Sequence, residues 1–343
     1  MVSASPLGVR SWSDSVSRAR RPLWTEPCPS VALIVRGGGR EWCLWRKSTG
    51  VSTFLESMHS APETHKGVST MRKLWILLSL VLILAVTAAP VAAITWGQLD
   101  TAHTNVGAMV VDWPGYGLFQ VCSGTLIHPR VFLTAGHCTE GWEGTGVETF
   151  WVNFDQYALN VDTLLDVEQV ITHPDYYWGP TNNPHDVGVL ILAEPVVDIE
   201  PATLPVEGFL DGLKEEGLLG RGQDKAKFTV VGYGGTLEWP PPDITYEDTR
   251  QYAVSEYRAL LKAWLRMSQQ QVTGDGGTCG GDSGGPAFWT QGDGSEILVG
   301  ITSWGDPYCI STGFNYRVDI PETLAFIDEV IDSLNNGQGP HSD

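Results

Sequence analysis

Basic side chains are scarce. The 343 residues hold 21 Lys and Arg against 40 Asp and Glu, a formal charge of −19. Binding to phosphate backbones needs clustered Lys and Arg, so no nucleic-acid partner is expected. Cysteine is sparse too, six in all, and no two stand in a CxxC spacing. That argues against a zinc centre. No calcium-binding spacing stands out, no cofactor or metal site is expected, and no internal repeat is visible. Gly37-Gly38-Gly39 lacks a phosphate-binding pattern and reads as loop. Charged residues make up only 18% and apolar residues 42%, which excludes a disordered chain and allows a sizeable core. The length fits roughly two domains, or one large β domain with appendages.

The charge is unevenly placed. Residues 1–70 carry 9 basic and 5 acidic side chains, and residues 94–343 carry 10 and 35. The acidic part reads as a soluble surface, with attraction of cationic substrates as the alternative. Between them lies the one long apolar run. Met71-Arg72-Lys73 is a short basic start, Leu74 to Ala89 is apolar apart from Ser79 and Thr87, and Val91-Ala92-Ala93 ends in small residues. This is the pattern of a cleaved signal peptide over 71–93. The alternative is a membrane anchor, since Leu74 to Ile94 is 21 residues without a charge. Residues 1–70 show no sustained helical or strand period. They read as a doubtful upstream extension, with Met71 as the working start, or else as a disordered cytoplasmic tail on an anchored protein. Export leaves four cysteines, Cys122, Cys138, Cys279 and Cys309. An even number in an exported chain implies two disulfides, with three possible pairings.

From Ile94 onward the chain is short apolar runs broken by Gly, Pro, Asn and Asp. Val106–Val111, Leu190–Leu192, Phe228–Val231 and Ile297–Ser303 read as strands. Their spacing suits an all-β sandwich or barrel. Residues 252–268 mix helical and strand spacing, and the context favours strand. Residues 205–227 and 236–250 read as polar linkers, with Pro240-Pro241-Pro242 extended. A helix of about three turns should close the domain. Pro321 suits its first turn, Ile327, Val330, Ile331 and Leu334 form its stripe, and Asn335-Asn336-Gly337 stop it.

Three stretches carry chemistry: Thr134-Ala135-Gly136-His137-Cys138, His185-Asp186-Val187-Gly188-Val189-Leu190, and Gly281-Asp282-Ser283-Gly284-Gly285-Pro286. Each alone has a bland reading as a structural His, a turn Asp or a tight turn. Together they supply His, Asp and Ser in that order. A serine hydroxyl is a poor nucleophile at neutral pH. It needs a base within hydrogen-bond reach, and the base needs an anion to fix its tautomer.

With these motifs the segment from about Ile94 to Leu334 resembles the trypsin-like, chymotrypsin-fold serine proteases. Cys122-Ser123-Gly124-Thr125-Leu126-Ile127, Thr203-Leu204-Pro205 and Ser303-Trp304-Gly305 extend the likeness. The resemblance implies an all-β protein over 94–343, with two packed six-stranded antiparallel Greek-key β-barrels and a C-terminal α-helix. It implies a secreted serine endopeptidase with Ser283 as nucleophile, His137 as base and then acid, and Asp186 as orienting carboxylate. Backbone N–H groups of Gly281 and Ser283 would form the oxyanion hole. Ser303, Trp304 and Gly305 would line the cleft and pair with the peptide as an added strand. Disulfides Cys122–Cys138 and Cys279–Cys309 follow from the same likeness. Other bridges common in animal relatives are absent, which suggests a pared-down form of bacterial type.

The resemblance also assigns activation and specificity. A free Ile94 ammonium, released by signal cleavage itself, would pair with Asp282 and order the oxyanion hole. Ile94-Thr95-Trp96-Gly97 departs from the usual Ile-Val-Gly-Gly start. Gly277 would form the pocket floor where tryptic relatives place Asp. Gly305 and Gly313 would leave the walls open to a neutral or apolar side chain. Asp306 lies near the rim and offers the alternative of a basic side chain, although Asp275 and Asp306 read as solvated loop residues rather than ligands. The expected partners are protein or peptide substrates, for a monomer with no stable membrane association after cleavage. A non-catalytic binding protein on the same fold is the competing class.

Overall fold

The computed structural model describes residues 34–37, 40–43, 73, 75–76, 94–179, 181–220, 226–238 and 243–337. The chain divides into two units, Met1–Leu82 and Ile83–Asp343. In the first, β1 (Ile34–Gly37) pairs antiparallel with β2 (Arg40–Cys43), Ile34 opposite Cys43. The sequence reading expected no strand there. Ile34, Val35 and Trp42 are β-branched or aromatic, residue types that favour strand. The apolar run 71–93, apart from Lys73, Trp75 and Ile76, lies outside the described residues, as do Cys28 and Pro240–Pro242. Among the described residues no helix is long and apolar enough to cross a membrane.

The second unit begins with β3 (Gln98–Leu99). It continues with β4 (Val106–Trp113), β5 (Gly117–His128), β6 (Val131–Thr134), β7 (Phe150–Asn153), β8 (Leu165–Thr172) and β9 (Gly188–Leu192). Strands β4 to β9 close into a six-stranded antiparallel barrel in the order β4-β5-β6-β9-β8-β7. Pairing of β4 with β7 completes the ring, Ala108 opposite Asn153. Next come β10 (Lys227–Gly232), β11 (Thr236–Glu238), β12 (Asp243–Thr245), β13 (Gln251–Leu260), β14 (Trp264–Ser268), β15 (Pro286–Thr290), β16 (Glu296–Gly305) and β17 (Thr312–Arg317). Six of these form the second barrel, closed where β10 pairs with β13, while β3 adds to the outer edge of β13. Both barrels run first-second-third-sixth-fifth-fourth around the ring, the same Greek-key path twice. This is the expected chymotrypsin-like architecture.

Residues 252–268 are strand, as expected, with a register shift between Tyr257 and Ala259. The linker readings need correction. Residues 236–250 contain the hairpin β11–β12, Thr236 opposite Thr245. Residues 205–227 contain a helix, Phe209–Glu215, whose Leu210 and Leu213 are buried. An i, i+3 pair is too short a stripe to show in a polar window, and the helix is held from elsewhere. Asp319 Oδ2 accepts the Leu210 N–H at 2.8 Å. Arg317 bridges Asp319 at 2.7 Å and Asp211 at 2.6 Å. The helix Pro321–Asn335 buries Phe326, Ile327 and Val330. It stops at Gly337, whose φ is +65° and whose N–H donates to Leu334. In chain order Gly136–Thr139 is α1, Phe209–Glu215 is α2 and Pro321–Asn335 is α3.

All five residues of β9 are buried. Leu190 and Leu192 join Phe132, Leu133 and Leu126 in a core that also takes Phe288, Leu298, Ile301 and Tyr316 from the second barrel. Each such side chain contributes on the order of 1.5–3 kcal/mol by leaving water. The shared core fixes one barrel against the other, and the three motif segments lie at the ends of the barrel strands.

Candidate active site

Strand β6 ends at Thr134 opposite Gly188, the start of β9. His137 follows Thr134 by three residues and Asp186 precedes Gly188 by two, so antiparallel pairing brings them to the same barrel end. His137 Nδ1 lies 3.1 and 3.0 Å from the two Asp186 carboxylate oxygens, and its backbone N–H donates to Oδ1 at 2.9 Å. His185 takes φ +52°, a turn that side chains other than glycine rarely adopt and that functional sites often hold. Asp186 is 1% exposed and His137 21%. Burial pushes the Asp186 carboxyl upward. The His137 ring hydrogen bond and charge, the Ser303 hydroxyl and the His137 N–H outweigh it, holding Asp186 below its ordinary range.

Ser303, expected at the cleft, lines the cavity beside Asp186, and its hydroxyl donates to Asp186. Trp304 is stacked on Phe314 at 3.8 Å and remains half exposed. Trp178, which the sequence reading missed, lies 5.7 Å from the His137 ring, between ring centroids. With Tyr177, Pro184, Trp264 and Trp304 it lines a cavity of about 380 Å³ beside Asp186.

The GDSGGP loop is tied to both barrels. The Ser283 carbonyl accepts the Ser123 N–H at 2.7 Å, and Gly284 N–H donates to Thr302 at 2.8 Å. Cys122, next to Ser123, is bonded to Cys138, next to His137. The Ser283 loop and the His137 segment are thus joined through one short stretch of β5. Cys279–Cys309 closes the other side of the Ser283 loop, so both bridges form as the resemblance implied. Ser283 lines a second cavity of about 260 Å³ with Thr278, Gly280, Ser303, Trp304 and Gly305.

The backbone of this loop has a definite orientation. The Gly280 carbonyl accepts Gly235 N–H at 2.8 Å, and the Asp282 carbonyl accepts Gly285 N–H at 2.9 Å. A trans peptide points its N–H opposite to its C=O. The N–H groups of Gly281 and Ser283 therefore point away from these anchors. Gly281 has φ +92°, and a Cβ there would meet Gln120 Oε1 at 2.9 Å. Its carbonyl accepts from Gln120 Nε2 at 2.8 Å and Ser123 Oγ at 3.0 Å. Nothing in the motif pattern marked Gln120, whereas Ser123 belongs to the 122–127 stretch that extended the likeness.

Ile94 and Asp282 do not pair. Ile94 is fully buried, and its backbone N–H donates to Gln251 at 3.2 Å. Thr95 bridges to Gly277. Asp282 is also fully buried and accepts the N–H groups of Gly234 at 2.7 Å and Cys279 at 2.8 Å. Burial pushes its carboxyl up to about 7 against those two bonds. Asp275 is not a solvated loop residue, whereas Asp306 is a partly exposed one. Asp275 is 2% exposed and accepts from Thr273 Oγ1 at 2.7 Å. Asp306 accepts backbone N–H groups of Tyr308, Ile310, Ser311 and Thr312, which folds the loop around Cys309. Gly277, Gly305 and Gly313 converge as expected, yet Gln269 occupies the space between them. No metal site was expected. Ligand atoms of His173, Asp175 and His185 lie within 4.8 Å of one another, with His173 Nδ1 already accepting Asp175 N–H at 3.1 Å.

Two six-stranded barrels sharing a core, with a His–Asp pair and a disulfide-tied GDSGGP loop between them, define a trypsin-like serine protease domain. The trypsin family model matches residues 97–327, and the chain belongs to that family. Similar proteins include the CLIP domain-containing serine protease B15 of Anopheles gambiae, 26% identical over 61% of this chain and 63% of that protein. A trypsin of Saccharopolyspora erythraea is 29% identical over 54% of this chain and 76% of its own. A trypsin of Phaedon cochleariae is 30% identical over 58% and 76%. The relatives thus come from insects as well as a bacterium, so they do not single out a bacterial type.

Proposed function

We propose that the protein is a secreted serine endopeptidase that hydrolyses peptide bonds through His137, Asp186 and Ser283. The observation that carries this reading is the bond of His137 Nδ1 to both oxygens of a buried Asp186. It assigns the proton to Nδ1 and leaves Nε2 as the base. Ser283 Oγ attacks the scissile carbonyl as Nε2 takes its proton. The C–N bond then breaks as Nε2 returns the proton to the leaving amine, leaving an acyl-enzyme. Water repeats the sequence, with His137 again as base, and frees the carboxylic acid and Ser283. The N–H groups of Gly281 and Ser283 point away from their anchored carbonyls and would hold the oxyanion. Each such donor is worth about 2.7–4 kcal/mol in the transition state.

Residues 71–93 act as the export signal, residues 1–70 are an upstream extension, and the mature enzyme is an extracellular monomer of pared-down type acting on proteins or peptides. Cleavage before Ile94 would free an ammonium for Asp282, the buried carboxylate with only N–H partners. Gly277 carries no charge, so the pocket floor offers no carboxylate to Lys or Arg. The test is fluorophosphonate labelling of secreted protein, with S283A as control, and determination of its amino terminus. Labelling of the wild type alone with Ile94 first is the expected result. An unlabelled Ser283 favours the non-catalytic binding protein, and an uncleaved apolar segment favours the anchored form.

A further inference from the structure

Three glycines surround one side chain. A Cβ added at Gly277 would come within 2.2 Å of Gln269 Cγ and 2.6 Å of its Nε2. One at Gly313 would lie 3.0 Å from Nε2, and one at Gly305 would lie 3.6 Å from Oε1. Gln269 therefore fills the volume that the absent side chains leave. It is 2% exposed. Its backbone N–H donates to the Ser311 carbonyl at 3.0 Å. Its Nε2 donates to the Thr278 carbonyl at 2.7 Å and reaches Thr278 Oγ1 at 3.3 Å. The carboxamide is thus fixed on its nitrogen side. Oε1 is buried without a hydrogen-bond partner, on the side of Gly305. An unpaired buried acceptor is costly, and it stands behind the wall of the cavity that Ser283 lines, because Thr278 and Gly305 line that cavity too.

We propose that Gln269 forms the base of the primary specificity pocket and restricts it to short, uncharged side chains, the class of alanine, serine and threonine. The inference rests on the serine-peptidase reading above. A longer side chain collides with a carboxamide that cannot withdraw without breaking both contacts to Thr278. A carboxylate would face the unpaired Oε1, which repels it. An ammonium or guanidinium would find a carboxamide and a glycine at the base, while Asp306, which also lines this cavity, has both oxygens engaged by backbone N–H groups of its own loop. The open walls inferred from Gly305 and Gly313 alone are closed from beneath.

The test uses secreted protein with active sites counted by fluorophosphonate labelling. Peptide nitroanilides that differ only in the acyl-side residue (Ala, Phe or Arg) are then compared by kcat/KM. A single misfitting methylene costs about 10–200-fold, so Ala should exceed Phe and Arg by about 100-fold or more. Q269A should raise Phe relative to Ala by about 10-fold or more, whereas Q269M, of similar length without the amide, should hold the Ala-to-Phe ratio within about threefold. A labelled wild type that cleaves Phe or Arg as fast as Ala overturns the proposal, as does a labelled Q269A with an unchanged ratio. If Q269A loses labelling by misfolding, Q269S and the wild-type ratio decide in its place. A wild type that is not labelled at all overturns the catalytic reading, and this inference with it.

Discussion

Asp186 has four hydrogen bonds arranged around one buried carboxylate, from the ring and backbone of His137 and from Ser303. Asp186→Asn keeps the shape but lets the imidazole take the wrong tautomer, so kcat should fall by about 10⁴ with KM little changed. Steady-state kinetics on the purified, folded variant would show it, and a fall of less than tenfold would count against the triad. His103 makes a different case. Burial lowers its pKa, but bonds to Asp100 at 2.9 Å and Glu296 at 3.0 Å overcome this and push it up to about 9. A raised histidine stabilises the fold fully below its unfolded value near 6.5. That stabilisation is lost as pH rises through 9. Thermal stability should therefore fall between pH 6.5 and 9, and His103→Gln should flatten that limb. Equal slopes in both proteins would refute the assignment. Neither His103 nor Gln269 could be found from the sequence, because a single His or Gln in a loop acquires meaning only from partners 193 or 9 residues away.

Among elements, several barrel strands, such as β4, β9, β10 and β16, were legible because their short apolar runs are rich in Val, Ile, Leu and Phe. β9 reads Gly-Val-Leu-Ile-Leu and is buried throughout. α3 was legible from its stripe and its Pro321 start. α2 and the β11–β12 hairpin were not, since their order comes from distant groups. Arg317 is the clearest of these, 4% exposed between Asp319 and Asp211. Arg317→Met would leave Asp319 buried without its cation and should cost about 3–5 kcal/mol. Denaturant unfolding would measure this, and a loss under 1 kcal/mol would show that the pair is dispensable. The Cys279–Cys309 bridge spans 30 residues. Replacing both cysteines by Ala should cost on the order of 3 kcal/mol by the chain-entropy account. It should also raise KM, because the bridge ties Ser283's loop to the wall of its cavity.

For the molecule as a whole, the decisive group is Asp282, at the junction of the two barrels. Its raised pKa of about 7 comes from complete burial. A carboxyl raised from 3.8 favours the folded state below about pH 4, and that advantage is lost as pH rises to 7. The uncleaved S283A chain should lose stability across this window by at most about 1.4 kcal/mol per pH unit. A chain cut before Ile94 supplies an ammonium and should show a flatter profile. Identical profiles in the cut and uncut proteins would sink the pairing of Ile94 with Asp282. Conversely, activity of the cut enzyme should fall above roughly pH 8–9 as the α-amino group loses its charge, with ion pairing moving that limit upward.

The family and several barrel strands were readable in the chain itself, and the resemblance supplied both disulfide pairings and the candidate residues His137, Asp186 and Ser283. Their signals are local, carried by contiguous motifs and by short apolar runs that need no knowledge of neighbours. Only the folded chain decided how the Ser283 loop orients its N–H groups, that Ser303 serves Asp186, and that Gln269 fills the space between three glycines. Those properties depend on distances between residues far apart in sequence, and such distances exist only after β6 has met β9 and the second barrel has closed on β10.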